Sequence, residues 1–119
     1  MTNTDMLNGI LENFQGVIAF KDLEGRNIVC GKDTINLFKN ESTLEDNPIG
    51  KTDHEIGLKF ANDYRKNDLK VINSGKAELF PEKFGQGEKI VNSSTFKFPV
   101  LNNENKIIGV GVIVPGFHQ

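Results

Sequence analysis

The spacing of hydrophobic positions changes along the chain, from a helical period at the N-terminus to a strand period in the last third. Thr4 or Asp5 is placed to cap a first helix, and Gly16 is placed to end it. The apolar residues between them recur at intervals of three and four, which predicts one stripe on a helix of about ten residues: Met6, Leu7, Ile10, Leu11 and Phe14.

Two short segments follow, residues 17–20 and 27–30, whose β-branched and aromatic side chains favour strands. The polar residues 21–26 lie between them and include a glycine near the end, which predicts a hairpin turn. Asp33 is then placed to cap a short helix, and the polar residues 39–48 predict a break in regular structure.

The middle of the chain has the pattern of a helix with defined ends. Thr52 and Glu55 have the spacing of a capping box, in which each side chain bonds the backbone amide of the other. We expect the helix to break at Gly57 and to continue through apolar positions as far as Ile72. Gly75 is placed to end it, because glycine adopts the left-handed conformation of a helix cap without strain.

The last third has the period of strands. Residues 76–84 predict a strand interrupted by Pro81, residues 95–100 alternate between apolar and polar side chains, and residues 106–114 are the most hydrophobic segment. Two strands, several helices and three strands, in that order, predict an α+β domain in which helices cover one face of an antiparallel sheet.

Composition and charge fit one globular domain. The chain has 119 residues, a net charge of −2 and one cysteine, and its charges are scattered rather than gathered into the basic surface of a nucleic-acid-binding domain. One cysteine allows no intrachain disulfide, and neither a signal peptide nor a membrane-spanning run is visible. We therefore expect a cytoplasmic domain without direct contact with nucleic acid or membrane.

Several short segments, taken together, resemble the PAS family of sensory domains. The resemblance extends over residues 10 to 114, and the segments follow one another in the order and spacing that the family shows. They are the hairpin segment 20–26, the helix start Ile49-Gly50-Lys51-Thr52-Asp53, the long-helix segment 64–76, and the closing segments 97–100 and 108–112.

The resemblance implies a PAS fold with a five-stranded antiparallel sheet in the order 2-1-5-4-3. It implies one PAS domain over residues 1–119, with a cap helix over 1–15 and a core over 16–114. The implied role is to sense a small organic molecule and to form a homodimer that regulates an attached output domain, such as a histidine kinase or transcription regulator. The chain itself is then not an enzyme.

The same resemblance bears on cofactors. The haem-binding branch has an axial histidine on the long helix, and the flavin photoreceptors have a cysteine motif there; residues 59–73 contain neither residue type. Haem and flavin are therefore disfavoured, with Tyr64 or, more remotely, His54 as the alternative haem ligand. No cofactor is predicted.

Three polar residues are candidates for ligand contacts, and each has a structural alternative. His54 either meets a ligand or faces solvent from the first turn of its helix. Cys30 either contacts a ligand or fills the core as a small apolar residue. Asp68 lies on the apolar stripe of its helix and either meets a polar ligand or bonds a neighbouring backbone segment. Asp53, His54 and Glu55 point about 100° apart on a helix, so no metal site is predicted.

Three functions stay open, of which a sensor that binds a small, largely apolar or aromatic ligand is favoured. The others are a ligand-free dimerisation or docking module, and a small enzyme that uses His54 with Asp53 or Asp68 as acid and base. The stripe of the first helix is the candidate dimer interface. The aromatic residues expected to line the interior, either as a ligand pocket or as filled core, are Phe20, Phe38, Tyr64, Phe96 and Phe98.

Overall fold

The structure is a computed structural model that describes residues 1–41, 47–85 and 87–116. Five strands form one antiparallel sheet in the order β2-β1-β5-β4-β3, which confirms both the predicted α+β class and the strand order. The strands are β1 Gly16–Asp22, β2 Asn27–Cys30, β3 Glu78–Phe84, β4 Val91–Leu101 and β5 Ile107–Pro115. The helices are α1 Asn3–Asn13, α2 Lys32–Glu41, α3 Asp53–Ile56 and α4 Ala61–Ser74.

The starts of α1 and α2 differ from the predicted ones. Thr2, rather than Thr4 or Asp5, caps α1: the Thr2 hydroxyl accepts from the Asp5 amide at 3.0 Å, and the Asp5 carboxylate accepts from the Thr2 amide at 2.9 Å. Asp5 is therefore the acidic partner of a capping box. Asp33 lies inside the first turn of α2 instead of capping it, and its carboxylate accepts from the Gly16 amide at 3.0 Å.

The predicted helix signals in the middle of the chain are confirmed. Thr52 caps α3 through a complete capping box, and Gly57 ends α3 with a φ of 86°. Gly75 caps α4 with a φ of 70°. Helix α2 extends into the predicted polar break, of which residues 42–46 lie outside the described residues.

The hydrophobic core lies between the sheet and helices α2 to α4. Strands β1 and β5 contribute small and β-branched side chains, and the helices contribute larger ones, so the layers interlock. Each buried aliphatic or aromatic side chain contributes roughly 1.5–3 kcal/mol. The core residues include Val17, Ala19, Leu37, Phe38, Ile56, Tyr64, Val71, Val110, Val112 and Val114.

The outer strands of the sheet are both poorly suited to further pairing. Strand β2 has four residues. Strand β3 contains Pro81, which pairs with Ser94 of β4 and has no backbone N–H. Proline is tolerated there because β3 has a strand on one side only.

Helix α1 stands apart from the core. None of its residues is buried, and Met6 and Ile10 are 49% and 50% exposed. Glu12 of α1 forms an exposed ion pair of 3.2 Å with Lys32 of α2. No helix within the described ranges is long and apolar enough to cross a membrane.

Candidate functional site

Five charged side chains lie buried between the sheet and the helices, and each comes from a different element. They are at most 7% exposed. We call them the charged cluster: Lys21 of β1, Asp53 of α3, Asp68 of α4, Glu82 of β3 and Lys97 of β4.

Lys21 joins the two helices to the first strand. Its Nζ lies 2.6 Å from Asp53 Oδ2 and 2.9 Å from Asp68 Oδ2. The other oxygen of Asp53, Oδ1, accepts a hydrogen bond from the side-chain Nδ2 of Asn27 at 3.0 Å. A single ammonium thus holds α3, α4 and β1 together through short charge-assisted bonds.

Lys97 joins the long helix to the other side of the sheet. Its Nζ lies 2.8 Å from Asp68 Oδ1, 2.7 Å from Glu82 Oε2 and 3.2 Å from the Tyr64 carbonyl oxygen. Asn67 also donates to Glu82 Oε2, at 2.9 Å. The three hydrogens of this ammonium therefore have three acceptors.

The electrostatic environment favours the charged forms of Asp68 and Lys21. Burial alone would raise the pKa of Asp68, but the ammonium groups of Lys21 and Lys97 outweigh it and hold that pKa below its usual value. Burial likewise acts to lower the pKa of Lys21, but Asp53 and Asp68 outweigh it and raise that pKa above its usual value. The partners therefore stabilise each other's charged forms.

A small cavity of about 20 Å³ lies against the cluster. Its polar lining comes from four of the five charged residues, all but Asp68, and its apolar lining from both layers of the domain. This volume accommodates about one water-sized group. The apolar lining residues are Val17, Ala19, Phe38, Tyr64, Phe84 and Val112.

The structure brings four of the predicted site residues to the helix side of the sheet. Phe38 and Tyr64 line the cavity, and Asp68 lies at the centre of the cluster. The Tyr64 ring stacks on Phe84 with centroids 5.2 Å apart. Cys30 is buried in the core but does not line the cavity, and burial, with a smaller effect of Asp53, raises the pKa of its thiol to about 12.

Three of the predicted interior aromatic residues lie on the other face. Phe96 and Phe98 flank Lys97, and Phe20 precedes Lys21; because neighbouring side chains on a strand point to opposite faces, all three point away from the helices. Phe20 and Phe98 contact edge to face at 6.2 Å, and Phe96 is 39% exposed. The predicted alternation is confirmed, but the interior assignment of these three is wrong.

His54 is exposed, and its Nε2 lies 2.6 Å from Asn62 Oδ1. Asp53 and Asp68, its hypothetical catalytic partners, both bond Lys21 instead. The hypothetical acid–base pair is therefore not assembled. Within the described ranges, no group of three or more acidic, histidine or cysteine side chains is arranged to hold a metal ion.

The sequence reasoning missed Lys21, Glu82 and Lys97. A signal existed for Lys21, because it follows Val17 and Ala19 at intervals of two and therefore shares their buried face. No comparable signal existed for Lys97, because its acidic partners Glu82 and Asp68 lie 15 and 29 residues away in the sequence.

Comparisons with known proteins find the fold but no close relative. No protein-family model matches the chain, and no curated protein matches it. Among solved structures, the Vibrio cholerae VqmA–ligand–DNA complex is 18% identical, with 96% of this chain covering 50% of that one at a TM-score of 0.75. This chain thus spans about half the length of the VqmA structures it matches.

Isolated PAS domains match over nearly their whole length. The PAS domain of Bordetella pertussis BvgS is 15% identical, with 98% of this chain covering 87% of that one at a TM-score of 0.74. A PAS domain from Colwellia psychrerythraea is 12% identical, with 98% of each chain covered at a TM-score of 0.70. The strand order, the helices on one face and these matches agree: the chain has the PAS fold.

Proposed function

We propose that this chain is the sensory domain of a bacterial-type signal transduction or transcription regulatory protein, and that it acts through binding rather than turnover. The observation that supports this proposal is the charged cluster beside the inner cavity. A polar group that enters the cavity competes for bonds that join three strands to two helices. Ligand binding is thereby coupled to the position of α3 and α4 on the sheet.

The fold neighbours support the same proposal. One solved neighbour is VqmA bound to DPO, and two others are the PAS domain of the histidine kinase ThkA and a sensor histidine kinase from Vibrio cholerae. The cavity of this chain differs from the predicted apolar hollow, since charged groups form part of its wall. We therefore propose a small ligand, bound in the cytoplasm, that places one polar group of about the size of a water molecule in the cavity, and an output domain that responds to it.

Adding one methylene to the cavity wall is expected to block the ligand. In Val112→Ile the extra carbon takes up much of the 20 Å³, whereas Val100→Ile adds the same carbon to the same sheet away from the cavity. Each protein is purified gently from its source cells and weighed by native mass spectrometry. A bound small molecule is expected with the wild type and Val100→Ile, and not with Val112→Ile.

Two outcomes would contradict the ligand proposal. One is a bound molecule retained by Val112→Ile at the wild-type level, because the cavity would then not be its site. The other is an unliganded mass for all three proteins together with no thermal stabilisation by extracts of the source cells. The second outcome leaves the ligand-free docking function as the better account.

A separate observation, the exposed apolar stripe of α1, supports dimerisation. Met6, Leu7 and Ile10 are between 37% and 50% exposed, while Leu11 and Phe14 are half-buried. Three large apolar side chains on one exposed helix are the kind of surface that protein partners cover. We propose that α1 contributes to a homodimer interface.

Ile10→Asp is expected to shift the protein from dimer to monomer in sedimentation velocity, because the interface would bury an unpaired carboxylate. Asn3→Asp adds the same charge at an exposed polar position of α1 and is expected to leave the dimer intact. A wild-type protein that stays monomeric at high concentration would remove the dimer proposal.

A further inference from the structure

A second cleft lies outside the inner cavity, where the β1–β2 turn meets α3 and α4. Its volume is about 190 Å³, the space of about six water molecules. Asp53 is the one residue that lines both this cleft and the inner cavity. The cleft is therefore a separate space that shares one wall residue with the inner cavity and two, Asp53 and Asp68, with the charged cluster.

Arg65 of α4 forms the positive wall of the cleft. Its Nη2 donates to the Leu23 carbonyl oxygen at 2.8 Å, which fixes the guanidinium against the turn. Its Nη1 is shielded from solvent and has no hydrogen-bond partner among the described residues. A buried guanidinium nitrogen without an acceptor is costly, and a planar carboxylate is the group that fits a guanidinium best.

Three carboxyl-bearing residues, Glu24, Asp53 and Asp68, form the negative part of the lining. Asp53 and Asp68 share the ammonium of Lys21, whereas Glu24 is exposed on the turn. Among the described residues Glu24 has no ion-pair partner to offset its charge, and the cleft is lined by three carboxylates and one guanidinium. A ligand ammonium on this side would be favourable.

We propose that this cleft binds a small zwitterion of the α-amino acid class, with its carboxylate on Arg65 and its ammonium toward Glu24 and Asp53. The cleft has room for a ligand of about six to eight non-hydrogen atoms. The carboxylate of such a ligand supplies the acceptor that Arg65 Nη1 lacks, and its ammonium supplies a cation beside Glu24. Because Asp53 bonds Lys21, binding of the ligand would also affect the charged cluster.

The probes for the test are glycine and L-alanine, titrated into uniformly ¹⁵N-labelled protein while amide chemical shifts are recorded. Saturable shifts are expected at Gly25, Thr52 and Arg65. Acetate and methylammonium, which each carry half of the charge pair, are expected to bind at least about tenfold more weakly, because each lacks one charged contact. Acetate that binds as tightly as L-alanine would overturn the zwitterion proposal.

Two variants test which residue binds the carboxylate of the ligand and which binds its ammonium. Arg65→Met is expected to weaken L-alanine by about tenfold or more, and Lys66→Met, at the next, exposed position, is expected to have no effect. Because Arg65 also holds the turn, Glu24→Gln serves as a second variant at an exposed position; it is expected to weaken L-alanine and to leave acetate unchanged. Wild-type affinity in both Arg65→Met and Glu24→Gln, or no saturable shift with either amino acid, would overturn the proposal.

Discussion

Lys97→Met is expected to lower the free energy of unfolding by about 3–5 kcal/mol, the cost of removing one partner from a buried ion pair. The substitution keeps much of the side-chain length but leaves Asp68 and Glu82 without the ammonium that both bond. A domain of this size is stabilised by only about 5–15 kcal/mol, so the loss is a large part of the total. Chemical denaturation followed by circular dichroism measures it.

The matched control is Lys106→Met. Lys106 pairs with Glu104 at 3.6 Å, and both side chains are more than 70% exposed. Exposed pairs contribute about 0–1 kcal/mol, so this variant is expected to stay close to the wild type. Equal losses for Lys97→Met and Lys106→Met would contradict the structural role of the cluster.

A double variant separates lost packing from lost charge pairing. In Lys97→Met/Glu82→Gln the carboxylate of Glu82, which bonds the Lys97 ammonium, is also removed, whereas Asp68 keeps its bond to Lys21. The combined loss is then expected to be smaller than the sum of the single losses, since the two residues share one bond. Strict additivity would show that Lys97 contributes through packing of its stem rather than through its charge.

Gly109→Ala is expected to destabilise the domain by about 3 kcal/mol, at the upper end of the usual cost of overpacking. A β-carbon at Gly109 would lie well inside 3.0 Å of the Lys21 backbone carbonyl oxygen on the neighbouring strand. Backbone cannot rotate away as a side chain can, so β1 and β5 must separate locally. The displacement also moves the residue whose ammonium joins α3 and α4.

Gly9→Ala is the same chemical change in open space. No atom lies within 4 Å of the position that its β-carbon would take on α1. Alanine is the better helix former, so we expect a gain of about 0.5–1 kcal/mol. Opposite signs for the two substitutions in one denaturation series are the expected result, and a neutral Gly109→Ala would contradict the close approach of β1 and β5.

The local signals in the sequence predicted most of the fold. Thr52, Gly57 and Gly75 mark helix ends through their own side chains or backbone freedom, and the structure confirms all three. Such signals work because cause and effect lie within four residues of one another. The start of α1 was predicted two or three residues too late, because Thr2 is the cap and Asp5 completes its capping box from inside the helix.

The candidate site was predictable only in part. Asp68 was identified because a carboxylate on an apolar helix stripe needs partners, and it proved to have two ammonium partners. Phe96 and Phe98 were assigned to the interior on the rule that aromatic side chains face inward. The rule failed because Lys97 holds the inward position between them, neutralised by acids from α4 and β3 that a strand pattern cannot reveal.

The edges of the sheet affect how copies of the chain can associate. A free strand edge is a template for amyloid-like stacking, in which backbone donors and acceptors of another chain continue the ladder. Pro81 removes a donor near the middle of β3, and β2 is only four residues long. Neither edge therefore offers a long, regular template, so growth of aggregates by edge-to-edge pairing of native domains is expected to be disfavoured.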